Sequence, residues 1–125
     1  MLLYAQLAVV ALVAIVNVYF GIMQGFYLTN FWWDWIAHFL GGLWAGLCGA
    51  WFFLHWTRRL TVLECALFAL AIGVAWELWE YSEGVGGSAV EFMPYWQDTI
   101  KDLVLDTLGG ALAGYIARYE HAWRK

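Results

Sequence analysis

A chain of 125 residues that is 64% hydrophobic and 13% charged lies outside the range of soluble domains, whose charged residues run near ~25%. A core of this length buries only about two thirds of its surface, and the polar residues are too few to coat the rest. A net charge of −4 with 6 basic residues, 1 proline and 2 cysteines excludes a nucleic-acid binder, a Pro-rich linker and a disulfide scaffold.

The composition therefore predicts an all-α polytopic protein in a lipid bilayer, read as a single membrane domain over 1–125 and a four-transmembrane-helix bundle. A helix needs about 20 apolar residues to cross the hydrocarbon layer. Residues 2–23 form the first such stretch and carry no charge. No basic residue precedes it and no small-residue cleavage site follows, so it reads as a retained span rather than a signal peptide. The second span, 31–56, carries Asp34 and His38 near its start. The third, 60–81, has Glu64 near one end and Glu77 and Glu80 near the other. Between it and the fourth span, 100–119, residues 82–98 hold Gly84, Gly86, Gly87 and Pro94 and predict a loop, held on the membrane surface by Phe92, Tyr95 and Trp96.

Basic residues orient the bundle. Arg58 and Arg59 lie between the second and third spans, and Arg118, Arg124 and Lys125 close the chain. The positive-inside rule puts both segments, and hence both termini, in the cytoplasm. Six tryptophans (Trp32, Trp33, Trp35, Trp76, Trp79, Trp96) then fall near the outer surface as an interfacial belt.

With that orientation, Asp34 and His38, Glu77 and Glu80, and Asp98, Asp102 and Asp106 all lie in the outer third of the membrane. Their i,i+3 and i,i+4 spacings put each set on one face of its helix. One turn deeper come Gly41 and Gly42, Gly73, and Gly109 and Gly110, and small residues allow helix backbones to meet closely in lipid. The pattern predicts an outward-facing acidic pocket floored by glycine packing. Six carboxylates with only Lys101 as a nearby cation require protons or a bound cation. Asp34, His38, Glu77, Glu80, Asp98, Asp102 and Asp106 are therefore the candidate ligands of a divalent metal, with Glu77 also a candidate catalytic base. Oxygen ligands suit Mg, Mn or Ca, and a single His admits Zn or Fe.

Other roles stand beside these. Asp34 fits a helix cap or an interfacial residue, His38 a hydrogen-bonded partner of a carboxylate, and Asp98 the cap of the fourth helix. Glu64 and His55 fit interfacial ion pairs with Arg58 and Arg59. Cys48 and Cys65 lack metal spacing and read as small packing residues. No nucleophile elbow, phosphate loop or nucleotide fingerprint is present.

Three blocks carry a family resemblance: Asp34-x3-His38-Phe39-x-Gly41-Gly42, Trp76-Glu77-x-x-Glu80, and Asp98-Thr99-x-x-Asp102-x3-Asp106-Thr107-x-Gly109. In this order they resemble the YjdF-like family of bacterial inner-membrane proteins and, more loosely, the VanZ-like family, over residues 31–114. The first resemblance implies a multi-pass protein of the bacterial inner membrane, its site facing the periplasm or exterior, of unassigned activity and reduced relative to members with extra spans. The VanZ-like family is associated with glycopeptide resistance, which points to envelope chemistry. Three functions follow in order of preference. The first is a divalent-metal site acting on lipid or envelope precursors. The second is a small accessory subunit in a homo-oligomer or larger membrane complex, and the third is cation or proton passage.

Overall fold

The computed structural model describes residues 2–56, 60–84 and 93–123. All regular structure among them is helical. Helix α1 (Leu2–Ala14) runs on without a break into π-helical turns over Ile15–Met23. The Gln24 amide closes that segment on the Tyr19 carbonyl at 3.0 Å, the five-residue step of a π-helix. Gly25 stops it with φ +71°, a conformation that a side chain resists. A short α2 (Phe26–Thr29) leads into α3 (Trp33–Trp56), followed by α4 (Val62–Glu83) and α5 (Tyr95–Trp123).

Local chemistry fixes the helix ends. Thr61 caps α4 by accepting from the Glu64 amide at 3.1 Å, while Glu64 Oε2 accepts from the Thr61 amide at 2.8 Å. This is a reciprocal capping box. It gives Glu64 a partner at the start of its own helix; Arg58 and Arg59, the expected partners, lie outside the described residues. Gly84, at φ +66°, ends the helix. Helix α5 starts on Pro94, whose carbonyl accepts from the Gln97 and Asp98 amides at 2.9 and 3.2 Å. The expected 82–98 loop is thus helical up to Glu83 and again from Tyr95. Its surface-anchoring residue Phe92 lies outside the described residues. Because α5 begins three residues before Asp98, that carboxylate does not cap the helix.

Among the described residues, three segments are long and apolar enough to cross a membrane: Leu2–Met23, Trp33–Trp56 and Val62–Glu83. Helix α5, at 29 residues, is about 43 Å long at 1.5 Å per residue, but Asp98, Lys101, Asp102 and Asp106 interrupt its apolar sequence.

Helix α5 lies against both α3 and α4, which also touch each other, whereas α1 lies against α3. Glycines set the closeness of the inner three. A side chain at Gly42 would strike the Asp106 backbone, and one at Gly109 would strike the Phe39 carbonyl. At Gly46 a Cβ would come within 2.6 Å of the Gly110 Cα. Farther along, Gly114 faces Cys65, which is fully buried with Ala50 and Ala117. Cys48 and Cys65 are both free thiols.

Helix α1 is held differently. Gln6 Nε2 donates to the Leu47 carbonyl at 3.0 Å, and the Trp33 indole donates to the Val16 carbonyl at 3.2 Å. Val16, Trp33 and Ala37 form a buried cluster with Phe20, Phe26, Tyr27 and Leu40 packed on it. The Tyr27 hydroxyl donates to Asn17 Oδ1, and burial, followed by the nearby Asp34 charge, pushes the phenol above its ordinary pKa.

Candidate functional site

The acidic residues gather where α3 starts, α4 ends and α5 starts. Residues at these three places are distant in the chain, and the antiparallel order of the helices puts them at one level. His38 is at the centre, 8% exposed. Its Nδ1 lies 3.5 Å from Asp106 Oδ2, and its Nε2 lies 3.6 Å from Asp34 Oδ1 and 3.8 Å from Asp102 Oδ2. Asp98, Asp102 and Asp106 are 5%, 2% and 5% exposed. Their two i,i+4 steps turn all three carboxylates inward from α5.

Glycine makes room for one of these acids. A Cβ at Gly73 would collide with Asp106 Oδ2. The bare backbone of α4 there lets the Asp106 carboxylate sit between α3 and α4. The glycines beneath the acidic residues therefore do more than bring helices together. One of them is a cradle.

The cluster divides into two parts that share His38. In the first, Lys101 binds the acids of α3 and α5: its Nζ lies 2.6 Å from Asp98 Oδ1, 3.0 Å from Asp34 Oδ2 and 3.4 Å from Asp102 Oδ1. The last contact is an ion pair without hydrogen-bond geometry. The i,i+3 step from Asp98 to Lys101 was visible in the sequence. The reach to Asp34 was not, since it depends on the register of α3 against α5.

The second part lies toward α4. Glu77 is 6% exposed. Its Oε2 accepts from the Thr99 hydroxyl at 2.8 Å, and its backbone carbonyl accepts from the Tyr95 hydroxyl at 3.2 Å. Its Oε1 is buried and has no hydrogen-bond partner. Glu80 is half-buried, and its Oε1 accepts from the Trp76 indole at 2.8 Å. Thr99, Tyr95 and Trp76 join the site, although the sequence pattern gives Trp76 and Tyr95 only interfacial places and Thr99 no role beyond its motif block. Trp76 sits at i,i+4 from Glu80, a legible signal. The other two bridge α4 and α5, and no local pattern announces such a bridge.

Two triads bring potential metal ligands together, Asp34–His38–Asp102 and His38–Glu77–Glu80, each with one ligand atom per residue and all within 4.8 Å of one another. In the first, Lys101 already supplies positive charge. In the second, Glu77 carries the unpartnered oxygen. Asp98 and Asp106 belong to neither triad: Asp98 pairs with Lys101, and Asp106 contacts the His38 ring. His55 stacks on Trp51 with ring centroids 5.5 Å apart; the arginines expected near it lie outside the described residues.

No curated protein and no solved structure matches the chain. A family model described as "Predicted membrane protein (DUF2238)" matches residues 2–122. Spanning nearly the whole chain and all three acidic blocks, that match makes the chain a member of the DUF2238 family of membrane proteins.

Proposed function

We propose that the chain is a four-span protein of the bacterial inner membrane whose polar end binds one divalent cation through His38, Glu77 and Glu80. The observation that carries the reading is Glu77 Oε1, a carboxylate oxygen buried without a donor beside two other ligand-bearing side chains. An ionised group inside a span costs roughly 2.5–3.5 kcal/mol on insertion scales and usually has a partner. A cation supplies that partner. Its attraction to Asp34, Asp98 and Asp102 would be met by Lys101, so the triad on the α4 side is the better site. Asp106, beside His38 Nδ1, orients the ring in the way that carboxylates support metal-bound histidines. One imidazole with two carboxylates suits Mn, Zn or Fe better than Ca or Mg.

The distribution of side chains on α5 supports a fourth span. Its charged side faces the bundle, while Ile100, Val104 and Leu108 are each more than half exposed on the other. Such a helix presents hydrocarbon to lipid and carboxylates to its neighbours. Four spans put Arg58, Arg59, Arg118, Arg124 and Lys125 on the cytoplasmic side and the cluster toward the periplasm. The order of the three acidic blocks is the basis for kinship with YjdF-like proteins. A three-ligand centre leaves coordination positions open, and a lipid or envelope precursor bound there is the extension of this reading.

Elemental analysis of protein purified without chelator tests it. The wild type is expected to hold one divalent ion per chain and Glu77→Gln none. Asp106→Asn should weaken the site by about 10–100-fold through the loss of ring support. A wild type without stoichiometric metal would overturn the proposal.

A further inference from the structure

A groove of about 200 Å³ opens between α4 and α5, lined by Val74, Glu77, Leu78, Tyr81, Tyr95, Thr99 and Leu103. A second hollow, about 280 Å³, lies deeper along the same pair of helices, against Leu70, Val104 and Thr107, and Leu103 lines both. From Tyr95 to Leu108 the pair extends about 20 Å at 1.5 Å per residue. That exceeds the ~15 Å depth of one leaflet's hydrocarbon. The groove is apolar along its length and polar only at the end where Glu77 stands.

The polar end has a definite hydrogen-bonding character. The Thr99 hydroxyl donates to Glu77 Oε2 and the Tyr95 hydroxyl to the Glu77 carbonyl, so both hydroxyl protons are committed. What remains beside Glu77 is acceptor capacity, its own Oε1, buried without a donor, and the lone pairs of the two hydroxyl oxygens, with the exposed Tyr81 phenol lining the same groove. An anionic head would be repelled by Glu77 and Glu80. An ammonium head brings three donors and the missing positive charge.

We infer that the α4–α5 groove binds a single-chain segment of a membrane amphiphile bearing a primary ammonium head, with the chain along Leu103 and the head at Glu77. The inference shares Glu77 with the proposed metal site and needs no metal; it rests on the reading of α5 as a span. An amine and a divalent cation would compete for the same oxygen.

The test uses the full chain in phosphatidylcholine nanodiscs, which contain no primary amine. The probe is hexadecylamine carrying a diazirine in its chain, and the controls are the matching alcohol and alkyl phosphate. Photolabelling mapped by mass spectrometry is expected on the α4 and α5 peptides around Leu78 and Leu103, for the amine above both controls. Glu77→Gln should weaken amine binding about tenfold to a hundredfold, the worth of a hydrogen bond to a charged group. Leu103→Trp fills the groove and should abolish labelling while the protein stays monodisperse. Equal labelling by alcohol or phosphate, or labelling indifferent to Leu103→Trp, would overturn the inference. Mn2+ binding, followed on the same samples, separates the two readings. Amine labelling in a protein that binds no Mn2+ would uphold this inference and overturn the metal site; Mn2+ binding without amine labelling would do the reverse.

Discussion

Helix α1 carries no charge whereas the α3–α4–α5 bundle holds the acidic cluster, and the two are held by different forces. Between the three bundle helices, glycine lets backbone meet backbone, and buried ion pairs tie α3 to α5. Helix α1 has neither. It rests on α3 through two side-chain-to-carbonyl hydrogen bonds and an aromatic cluster. Lipid tails are as apolar as leucine, so burying hydrocarbon gives no drive to helix association in a membrane. Close packing and polar contacts must supply it, and the bundle has far more of both. The acidic cluster accordingly lies in the tightly packed part, where its side chains are held in register.

Substitutions can break this contrast in graded steps. The largest effect is expected at Gly42→Leu, where the side chain would enter the Asp106 backbone. A loss of about 3 kcal/mol or more should appear as failed assembly, read by size-exclusion chromatography in mild detergent. Lys101→Met strips the cation from Asp34, Asp98 and Asp102. Removing one partner of a buried pair costs about 3–5 kcal/mol, and the partial exposure of Asp34 and Lys101 brings the expected loss nearer 2–3 kcal/mol. Unfolding in mixed micelles measures it, and an unchanged midpoint would show that the acids do not rely on Lys101.

Gly73→Ala is smaller in volume but aimed at the site. Its Cβ displaces the Asp106 carboxylate, so stability should fall by about 1–2 kcal/mol while metal affinity falls further. Equal losses in the two would argue that Gly73 serves packing alone. At the lower end, Trp33→Phe removes one hydrogen bond from the α1 contact. About 1 kcal/mol or less is expected, with the metal content unchanged. A drop in metal content on this change would mean that α1 is coupled to the site, contrary to the contrast drawn here.

Much of this was legible in the chain itself. Hydropathy marks the three long apolar helices, and the i,i+3 and i,i+4 spacings put Asp34 with His38 and Asp102 with Asp106 on common faces. Depth along antiparallel helices then brings the acids to one level. The start of α5 was misread because Gly84, Gly86, Gly87 and Pro94 signal a loop, whereas Pro94 is itself the residue on which the helix begins. The partition of the cluster was also hidden. Lys101 reaching Asp34, Thr99 holding Glu77, and Gly73 making space for Asp106 all depend on inter-helix register, which no local pattern encodes. For the same reason Asp98 resembled a cap, although its partner is an ammonium one turn on.

The most direct test of the cation site is electron paramagnetic resonance of the wild-type protein loaded with Mn2+, with detection of nitrogen coupling from a coordinated imidazole. One bound Mn2+ per chain with one imidazole nitrogen is expected, a coupling that disappears in His38→Gln. Unbound Mn2+, or bound Mn2+ with no nitrogen coupling, would contradict it.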